Sequence, residues 1–427
     1  MSITDSLIDL AQGPCDADAL RMMELSLFDW AVCGIAGARD PAFAGFREAA
    51  RAASSLGRST LFGGGTASAA TAALINGTLS HALDYDDTHF AHIGHPSVAV
   101  VPAVLALAHE RGAGFDDMVQ AALTGVEASV LVGTWLGRGH YQTGFHQTAT
   151  AGAFGATLGA ARLCSASPEQ TRMALGLCAS MASGLKSQFG TMAKPLNAGL
   201  AARTGVEAVL WAQVGMTAAA DGLAGPLGFG ETHHGAAEDA VVPEPGQPSC
   251  AILDISHKFH ACCHGLHAML EAISQINCDL QGIESVDIFT HPRWMTVCNQ
   301  TAPDTGLGVK FSYAHTAAMA LSGISTAAVE NFSDRVARSP ELIALRRKVR
   351  VHADETLTEM QARVEIRCSG GSLQSAAHDL AAPMPLADRQ ARLQQKAGDL
   401  VGAPCASDLW QAVQTRDLEL FTKSLCR

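Results

Sequence analysis

The chain has 427 residues, of which 48% are hydrophobic and 16% charged, and its formal net charge is −12 at pH 7. This length and apolar content allow a large buried core, divided into two domains or one large and one small. The negative charge argues against a nucleic-acid partner, because phosphate binding needs a basic face.

The N-terminus carries early acids instead of a basic region followed by an apolar one, so we expect no secretory leader. No run of about eighteen apolar residues is free of charged or strongly polar side chains, so we expect no membrane span. Twelve cysteines are scattered along the chain. This pattern predicts reduced, mostly buried thiols in a cytoplasmic protein.

Up to about residue 255 the apolar residues recur at three- and four-residue steps, which predicts helices. The segment 148–161 consists of small residues and predicts a buried helix whose backbone lies close to its neighbours. The other predicted helices of this part span residues 19–36, 67–83, 97–111, 115–137 and 168–185.

The pattern changes after Pro243–Pro248, which is predicted to be an inter-domain linker or a lid hinge. Alternating apolar and polar residues then predict strands, and one helix lies between them, so this part forms a smaller α+β unit. The tail returns to amphipathic helix, which predicts that it packs on the first domain. The predicted strands span 285–290, 349–352 and 363–367, and the predicted helices span 311–324, 388–400 and 406–425.

The segment Ala82–Ser97 contains three carboxylates, a threonine and three imidazoles. Carboxylates and imidazoles exchange protons near neutral pH, so the segment predicts a general acid/base site with Asp84 and His95 inward and Thr88 bound to substrate. A second interpretation is a divalent metal site, although the spacing matches no standard zinc signature. A third is a capped helix end with solvated histidines.

Three further side chains are candidates for binding an anionic group. His146 directly precedes the small-residue helix, where the helix N-terminus favours a neutral imidazole and attracts a carboxylate. Lys194 lies in an apolar run before a proline, which suits carboxylate binding or an enolate's developing charge. Arg203 is a second possible anion anchor. Each of the three has a structural alternative, such as a buried polar histidine or a helix-end cation.

A second cluster contains His257, Lys258, His260, His264 and His267, with two cysteines between them. Steps of three and four residues align several of these side chains on one helix face. The irregular spacing disfavours a Cys/His zinc site. We therefore expect one imidazole to reach a substrate and the others to be structural.

Taken together, these motifs resemble the MmgE/PrpD family, which includes 2-methylcitrate dehydratase, cis-aconitate decarboxylase and iminodisuccinate epimerase. The resemblance extends over nearly the whole chain, with its motifs in the family's order. The matching motifs are Asn76–His81 with Asp84–Thr88, His95–Ser97, Gly144–His146, Lys194–Leu196 with Ala201–Arg203, and Lys258–Cys263 with His267.

The resemblance implies a mainly α fold, with an all-helical main domain over 1–255, completed by 388–427, and an inserted α+β lid over 256–387. It also implies a cofactor-independent homodimer with its pocket between the domains. We expect no bound metal. By position, Asp84, Thr88, His95, His146, Lys194 and His267 resemble the residues that line the family's active site.

One position departs from the family. Other members often carry a substrate-facing tyrosine three residues after a Lys-Phe-Ser run, where this chain has His315. Tyr313 is offset by two residues. This change leaves the substrate open.

We expect a lyase that acts on a small di- or tricarboxylate, by analogy with 2-methylcitrate dehydratase. An epimerase or a decarboxylase is the alternative within the family, and a metal-dependent hydrolase is a less favoured one. The expected catalytic residues are His95, oriented by Asp84, with Lys194, His146 and His267. The expected substrate-binding residues are Thr88, Arg203, His315 and Lys258.

Overall fold

The computed structural model describes residues 2–235, 249–277 and 280–427, and the predicted linker Pro243–Pro248 lies outside them. The chain divides into two compact units, Met1–His257 with Leu393–Arg427, and Lys258–Arg392. Helices predominate in the described residues. The prediction of a mainly α fold is therefore confirmed, whereas the role of the second unit as a lid stays a prediction.

The first unit contains the predicted helices, with ends that differ by a few residues. A two-stranded ladder, β1 Ser59–Thr60 with β2 Thr66–Ala67, also lies here, so this unit is not all-helical. The helices are α1 Ile3–Gln12, α2 Ala17–Ala38, α3 Ala44–Ala52, α4 Ala69–Ser80, α5 Ser97–Arg111, α6 Phe115–Thr143, α7 Gln147–Leu163, α8 Pro168–Met181, α9 Ala193–Gln213 and α10 Phe229–Thr232.

Helices α4, α5, α6, α7 and α9 pack against one another and form the core of this unit. Where α6 meets α7, a Cβ atom on Gly155 would lie 2.5 Å from the carbonyl oxygen of Gly125. Where α4 meets α9, a Cβ atom on Gly199 would lie 2.2 Å from the carbonyl oxygen of Leu74. Glycine is therefore required at both contacts. The prediction of a closely packed, buried helix over 148–161 is confirmed.

Helix α6 alone among the described helices is long and apolar enough to cross a membrane. However, 83% of its most apolar 18-residue window is buried inside the structure. This burial is typical of the core helix of a soluble protein. Gly137, where the sequence predicts the helix to end, has a φ of 71° and interrupts α6 before the helix continues to Thr143.

The second unit contains a four-stranded sheet of order β4-β3-β5-β6, in which β3 and β4 are parallel and the other pairs antiparallel. Helices α11 and α14 pack on the sheet. The three predicted strands are confirmed, and β6 was not predicted. The elements are α11 His267–Ser274, β3 Ile283–Thr290, α12 Trp294–Val297, α13 Gly306–Val309, α14 Tyr313–Leu321, α15 Asp334–Ala337, α16 Pro340–Arg346, β4 Val349–Ala353, β5 Gln361–Cys368 and β6 Leu373–Asp379.

The tail forms α17 Leu386–Val401, α18 Ala403–Thr415 and α19 Leu418–Leu425. Its residues from Leu393 onwards belong to the first unit, and α18 and α19 both pack on α2. The prediction that the tail packs on the first domain is confirmed. The eleven cysteines among the described residues are free thiols, as predicted.

Candidate active site

The candidate site lies in the first unit, in the loop that follows α4. His81 ends that helix, and the chain then turns through Asp84, whose φ is +52°. A left-handed backbone is uncommon for a residue other than glycine, and such strain concentrates at functional sites. Paired backbone hydrogen bonds between His89 and Gly94 close the loop. The backbone N–H of His95 then donates to Thr148 Oγ1 in the first turn of α7 at 3.1 Å.

The imidazole of His95 lies between two carboxylates. Its Nδ1 is 2.7 Å from Asp86 Oδ2, and its Nε2 is 3.3 Å from Asp84 Oδ1. A carboxylate oxygen therefore faces each ring nitrogen, and either oxygen can accept a hydrogen bond from a protonated ring nitrogen. Asp84, predicted to orient His95, does contact the ring, but Asp86 is the nearer and the more deeply buried of the two carboxylates. Asp84 faces the opposite nitrogen and is 34% exposed.

Asp86 is buried and lies between two imidazoles. His81 Nδ1 is 2.9 Å from its Oδ1 and 3.1 Å from its Oδ2. Burial alone would raise the pKa of Asp86, but the neighbouring imidazoles of His81 and His95 lower it well below its usual range. Asp86 is therefore an ionised carboxylate that fixes the orientation of both rings.

His81 and Asp86 are site residues that were not predicted from the sequence. His81 is buried, and this burial lowers its pKa, so its neutral ring donates from Nδ1 to Asp86. His81 Nε2 has no hydrogen-bond partner in the described part of the chain. Both residues lie in the motif Asn76–Thr88, and their five-residue spacing across a helix end was the available signal.

Lys194 supplies the positive charge of the site. Its Nζ is 2.8 Å from Asp84 Oδ2, and its side chain is 16% exposed. Lys194 is the second residue of α9, where the positive end of the helix dipole disfavours a cation. The Asp84 carboxylate offsets this repulsion. A lysine at a helix N-terminus beside one exchangeable carboxylate is suited to bind an anionic group.

His146 lies next to this pair, directly before α7. Its Nδ1 accepts from Asn197 Nδ2 at 3.2 Å, which leaves the ring proton on Nε2. Its ring is stacked on that of His81, with 6.0 Å between the ring centroids, and meets the Phe189 ring edge-on, with 4.9 Å between the centroids. Burial lowers its pKa well below the usual value, and the neighbouring His81 and Lys194 lower it further. The imidazole is neutral, as expected, but the main cause is burial and not the helix N-terminus.

Two expected substrate-binding residues of the first unit point elsewhere. Thr88 Oγ1 donates to the carbonyl of Ser256 at 3.2 Å, and their backbones form a bridge. Arg203 is exposed and pairs with Glu207 at 2.8 Å on the same helix. Nine residues along an α-helix correspond to a rotation of about 900°, so Arg203 lies half a turn away from Lys194. The structure does not bring Arg203 to the site.

The remaining candidates lie in the second unit. His267 and Lys258 are buried, and burial followed by the charges of His264 and His260 lowers the pKa of His267 well below its usual value. His260 lies 3.2 Å from Glu271 Oε1 and 2.7 Å from Thr326 Oγ1. These imidazoles form a cluster of their own within this unit.

The structure places His315, an expected substrate-binding residue, inside the second unit. It is fully buried, its Nδ1 accepts from Arg346 at 3.3 Å, and its Nε2 donates to the carbonyl of Val336 at 3.3 Å. Both ring nitrogens are therefore engaged within the second unit. Tyr313 is equally buried and donates to the carbonyl of Gly265 at 2.5 Å.

Only one set of side chains in the described residues has a geometry that suits a metal ion. His81, Asp84, Asp86 and His95 each offer a ligand atom, and these atoms lie within 4.8 Å of one another. The ammonium of Lys194, 2.8 Å from Asp84, already provides a cation there. Repulsion from this charge, together with the two imidazoles already bound to Asp86, favours proton transfer over metal binding.

Comparison with known proteins covers most of the chain. A model of the MmgE/PrpD N-terminal domain matches residues 3–240, and a model of the MmgE/PrpD C-terminal domain matches residues 260–415. Both matches follow the order of the motifs described above.

Three individual relatives are informative. The cis-aconitate decarboxylase-like protein oryM of Aspergillus oryzae is 27% identical over 316 residues, which cover 68% of this chain and 64% of that protein. The cis-aconitate decarboxylase of Aspergillus terreus is 28% identical over 284 residues, 63% of this chain and 58% of that protein. The human cis-aconitate decarboxylase is 31% identical over 164 residues, 37% of this chain and 34% of that protein. The matched region thus spans less than two thirds of each relative.

Proposed function

The chain belongs to the MmgE/PrpD family, and we propose that it is a cofactor-independent lyase that acts on a small di- or tricarboxylate by proton transfer next to a carboxylate. The observation that carries this proposal is His95, whose two ring nitrogens face Asp86 and Asp84 while Lys194 pairs with Asp84. An acid/base group and a carboxylate-binding cation are thereby adjacent.

Each residue has a distinct role in the proposed reaction. A substrate carboxylate replaces Asp84 at the Lys194 ammonium, which also neutralises charge that develops on the substrate. The His95 imidazolium, oriented by Asp86, donates a proton and takes it back in the reverse direction. His146 presents its Nε2–H as a neutral donor, because Asn197 occupies its Nδ1.

Decarboxylation is the first candidate, because the matched relatives are named cis-aconitate decarboxylase. The electron pair of the breaking C–CO₂ bond moves into the adjacent π system and forms a C–H bond with the proton from His95. CO₂ leaves, and His95 recovers its proton from solvent.

Dehydration is the second candidate, favoured by the neutral Nε2–H donor of His146. In this reaction, His95 in its neutral form removes a proton next to a carboxylate and passes it to the leaving hydroxyl group, which departs as water, while the neutral Nε2–H of His146 donates a hydrogen bond to that oxygen. Epimerisation differs in that the carbanion is reprotonated on its opposite face.

Proton NMR in D₂O tests the proposal. The purified chain is incubated with cis-aconitate, citrate, 2-methylcitrate or iminodisuccinate, and the product and the deuterated carbon are identified. Loss of CO₂ or of water separates the two lyase reactions, and exchange without net product indicates an epimerase. His95→Asn should abolish turnover, whereas His234→Asn, at an exposed left-handed position that tolerates asparagine, should not. Turnover that survives His95→Asn would refute the assigned role of His95.

Homodimer formation and a cytoplasmic location, both expected from the sequence, are part of the same proposal. Light scattering on the purified chain tests the first expectation, and the localisation of a tagged full-length chain tests the second.

A further inference from the structure

Lys396 is a fully buried lysine that reaches the candidate site from the tail. It lies in α17, and its Nζ is 2.6 Å from Asp29 Oδ1 on α2. The same Nζ donates to the backbone carbonyl of Tyr85 at 2.6 Å and lies 4.0 Å from the centre of the Tyr85 ring. Tyr85 stands between Asp84 and Asp86, the two carboxylates that face His95.

The ion pair of Lys396 with Asp29 is unusual for a structural contact. Both side chains are 2% exposed, so both charges have lost their hydration. Burial raises the pKa of Asp29 to about 6 against the opposing effect of Lys396. A buried pair of this kind is weak evidence for stability, because well-packed apolar residues often replace one without loss. Stability alone therefore does not account for the buried ammonium.

The backbone beside Lys396 is the part of the loop that needs support. Asp84 has a left-handed φ of +52°, and strained residues persist only where their surroundings hold them. On one side of Tyr85, the Asp84 N–H donates to the carbonyl of His81 at 3.2 Å. On the other side, the Asp86 side chain contacts two imidazoles. Lys396 holds the carbonyl between them.

We propose that Lys396 is a positioning residue that holds the Asp84–Asp86 backbone so that both carboxylates face His95. The proposal rests on the proposed function for its effect on turnover, but not for its effect on the backbone. A displacement of about 1 Å in a catalytic group lowers rates by about 100-fold. Loss of Lys396 should therefore lower kcat by about 10- to 100-fold and leave KM within about threefold.

The experiment compares three variants of the full chain. Lys396→Met removes the donor and leaves Asp29 buried without its partner. The double variant Asp29→Leu with Lys396→Met removes both charges. It should fold even if the single variant does not, because it leaves no unpaired charge in the core. Lys423→Met, at an exposed position of α19, is the matched control for a lysine lost from the tail.

Two readouts are measured on each variant: kcat and KM on the substrate identified by NMR, and amide hydrogen exchange of peptides covering residues 84–88 and α17. We expect faster exchange at 84–88 and a lower kcat in the Lys396 variants, with both unchanged in Lys423→Met. A folded double variant with wild-type exchange at 84–88 and wild-type kcat would overturn the proposal. So would faster exchange in α17 alone, which would mean that Lys396 only docks the tail.

Failure of the proposed function gives a different result. If the wild-type chain converts no carboxylate, the lyase assignment is lost, and the exchange of residues 84–88 still decides whether Lys396 positions the loop.

Discussion

The substitution Asp86→Asn tests the central geometry of the site. The Asp86 carboxylate accepts from His81 and faces His95 Nδ1 at 2.7 Å. An amide of the same shape can accept with one oxygen only, and its NH₂ group opposes a second ring proton. A hydrogen bond to a charged group contributes about 1.5–3 kcal/mol, so we expect a loss of about 2–3 kcal/mol in unfolding free energy. We also expect kcat to fall by about 100- to 10,000-fold, because His95 is held in the wrong tautomer.

The matched control is Asp84→Asn. Asp84 is one third exposed, and asparagine tolerates its left-handed backbone. We expect its unfolding free energy to change by less than about 1 kcal/mol, as for other exposed ion pairs. Urea unfolding and steady-state kinetics on both variants give the comparison. If Asp84→Asn lowers kcat more than Asp86→Asn does, Asp84 is the orienting carboxylate and our reasoning is wrong.

Three further predictions concern single side chains. Lys194→Met should raise KM for a carboxylate by at least about tenfold. Arg203 lies half a helix turn away and pairs with Glu207, so Arg203→Met should leave KM unchanged. Equal effects of the two substitutions in steady-state kinetics would contradict the assignment of Lys194 as the carboxylate-binding residue. Asn197→Asp should reverse the tautomer of His146 and lower kcat by about tenfold or more; an unchanged kcat would remove His146 from the mechanism. Burial and then His89 lower the pKa of His92 to about 3. Below about pH 6.5 the unfolded chain therefore binds a proton that the native chain does not. As the pH decreases from about 6.5 to about 3, the free energy of unfolding should decrease by about 1.4 kcal/mol per pH unit. Urea unfolding between pH 7 and pH 4 should therefore show a flatter pH dependence in His92→Gln; an equal slope would contradict the burial argument.

The predicted helices of the first unit could be recognised because apolar residues recur along them at three- and four-residue steps, and capping side chains mark some of their starts. Asp16 and Ser167 accept backbone N–H groups at the starts of α2 and α8, for example. Strand β6, in contrast, was missed. It alternates exposed and partly exposed residues, so its sequence lacks the apolar alternation that identified β3 and β5.

The side-chain directions at the site could not be predicted in the same way. Asp84, Asp86 and Asp87 follow one another through a turn with a left-handed residue, where no period applies. Only the folded backbone shows that Asp86 faces His81 and His95. The position of Arg203 was predictable, because its helical phase relative to Lys194 follows once one helix contains both residues.

The charges of the site set a condition on substrate binding. The carboxylates of Asp84 and Asp86 both face His95, and the Lys194 ammonium pairs with Asp84. A bound dicarboxylate adds two negative charges, so binding should either draw a proton from solvent or release Lys194 from Asp84 at a cost in affinity. Calorimetry with a dicarboxylate that is not converted, in two buffers of different ionisation enthalpy, measures the proton uptake. We expect uptake in the wild-type chain, and less uptake with tighter binding in Asp84→Asn, because its Lys194 is already free of the carboxylate. Equal affinity and equal uptake in the two proteins would show that Lys194 does not bind the substrate carboxylate.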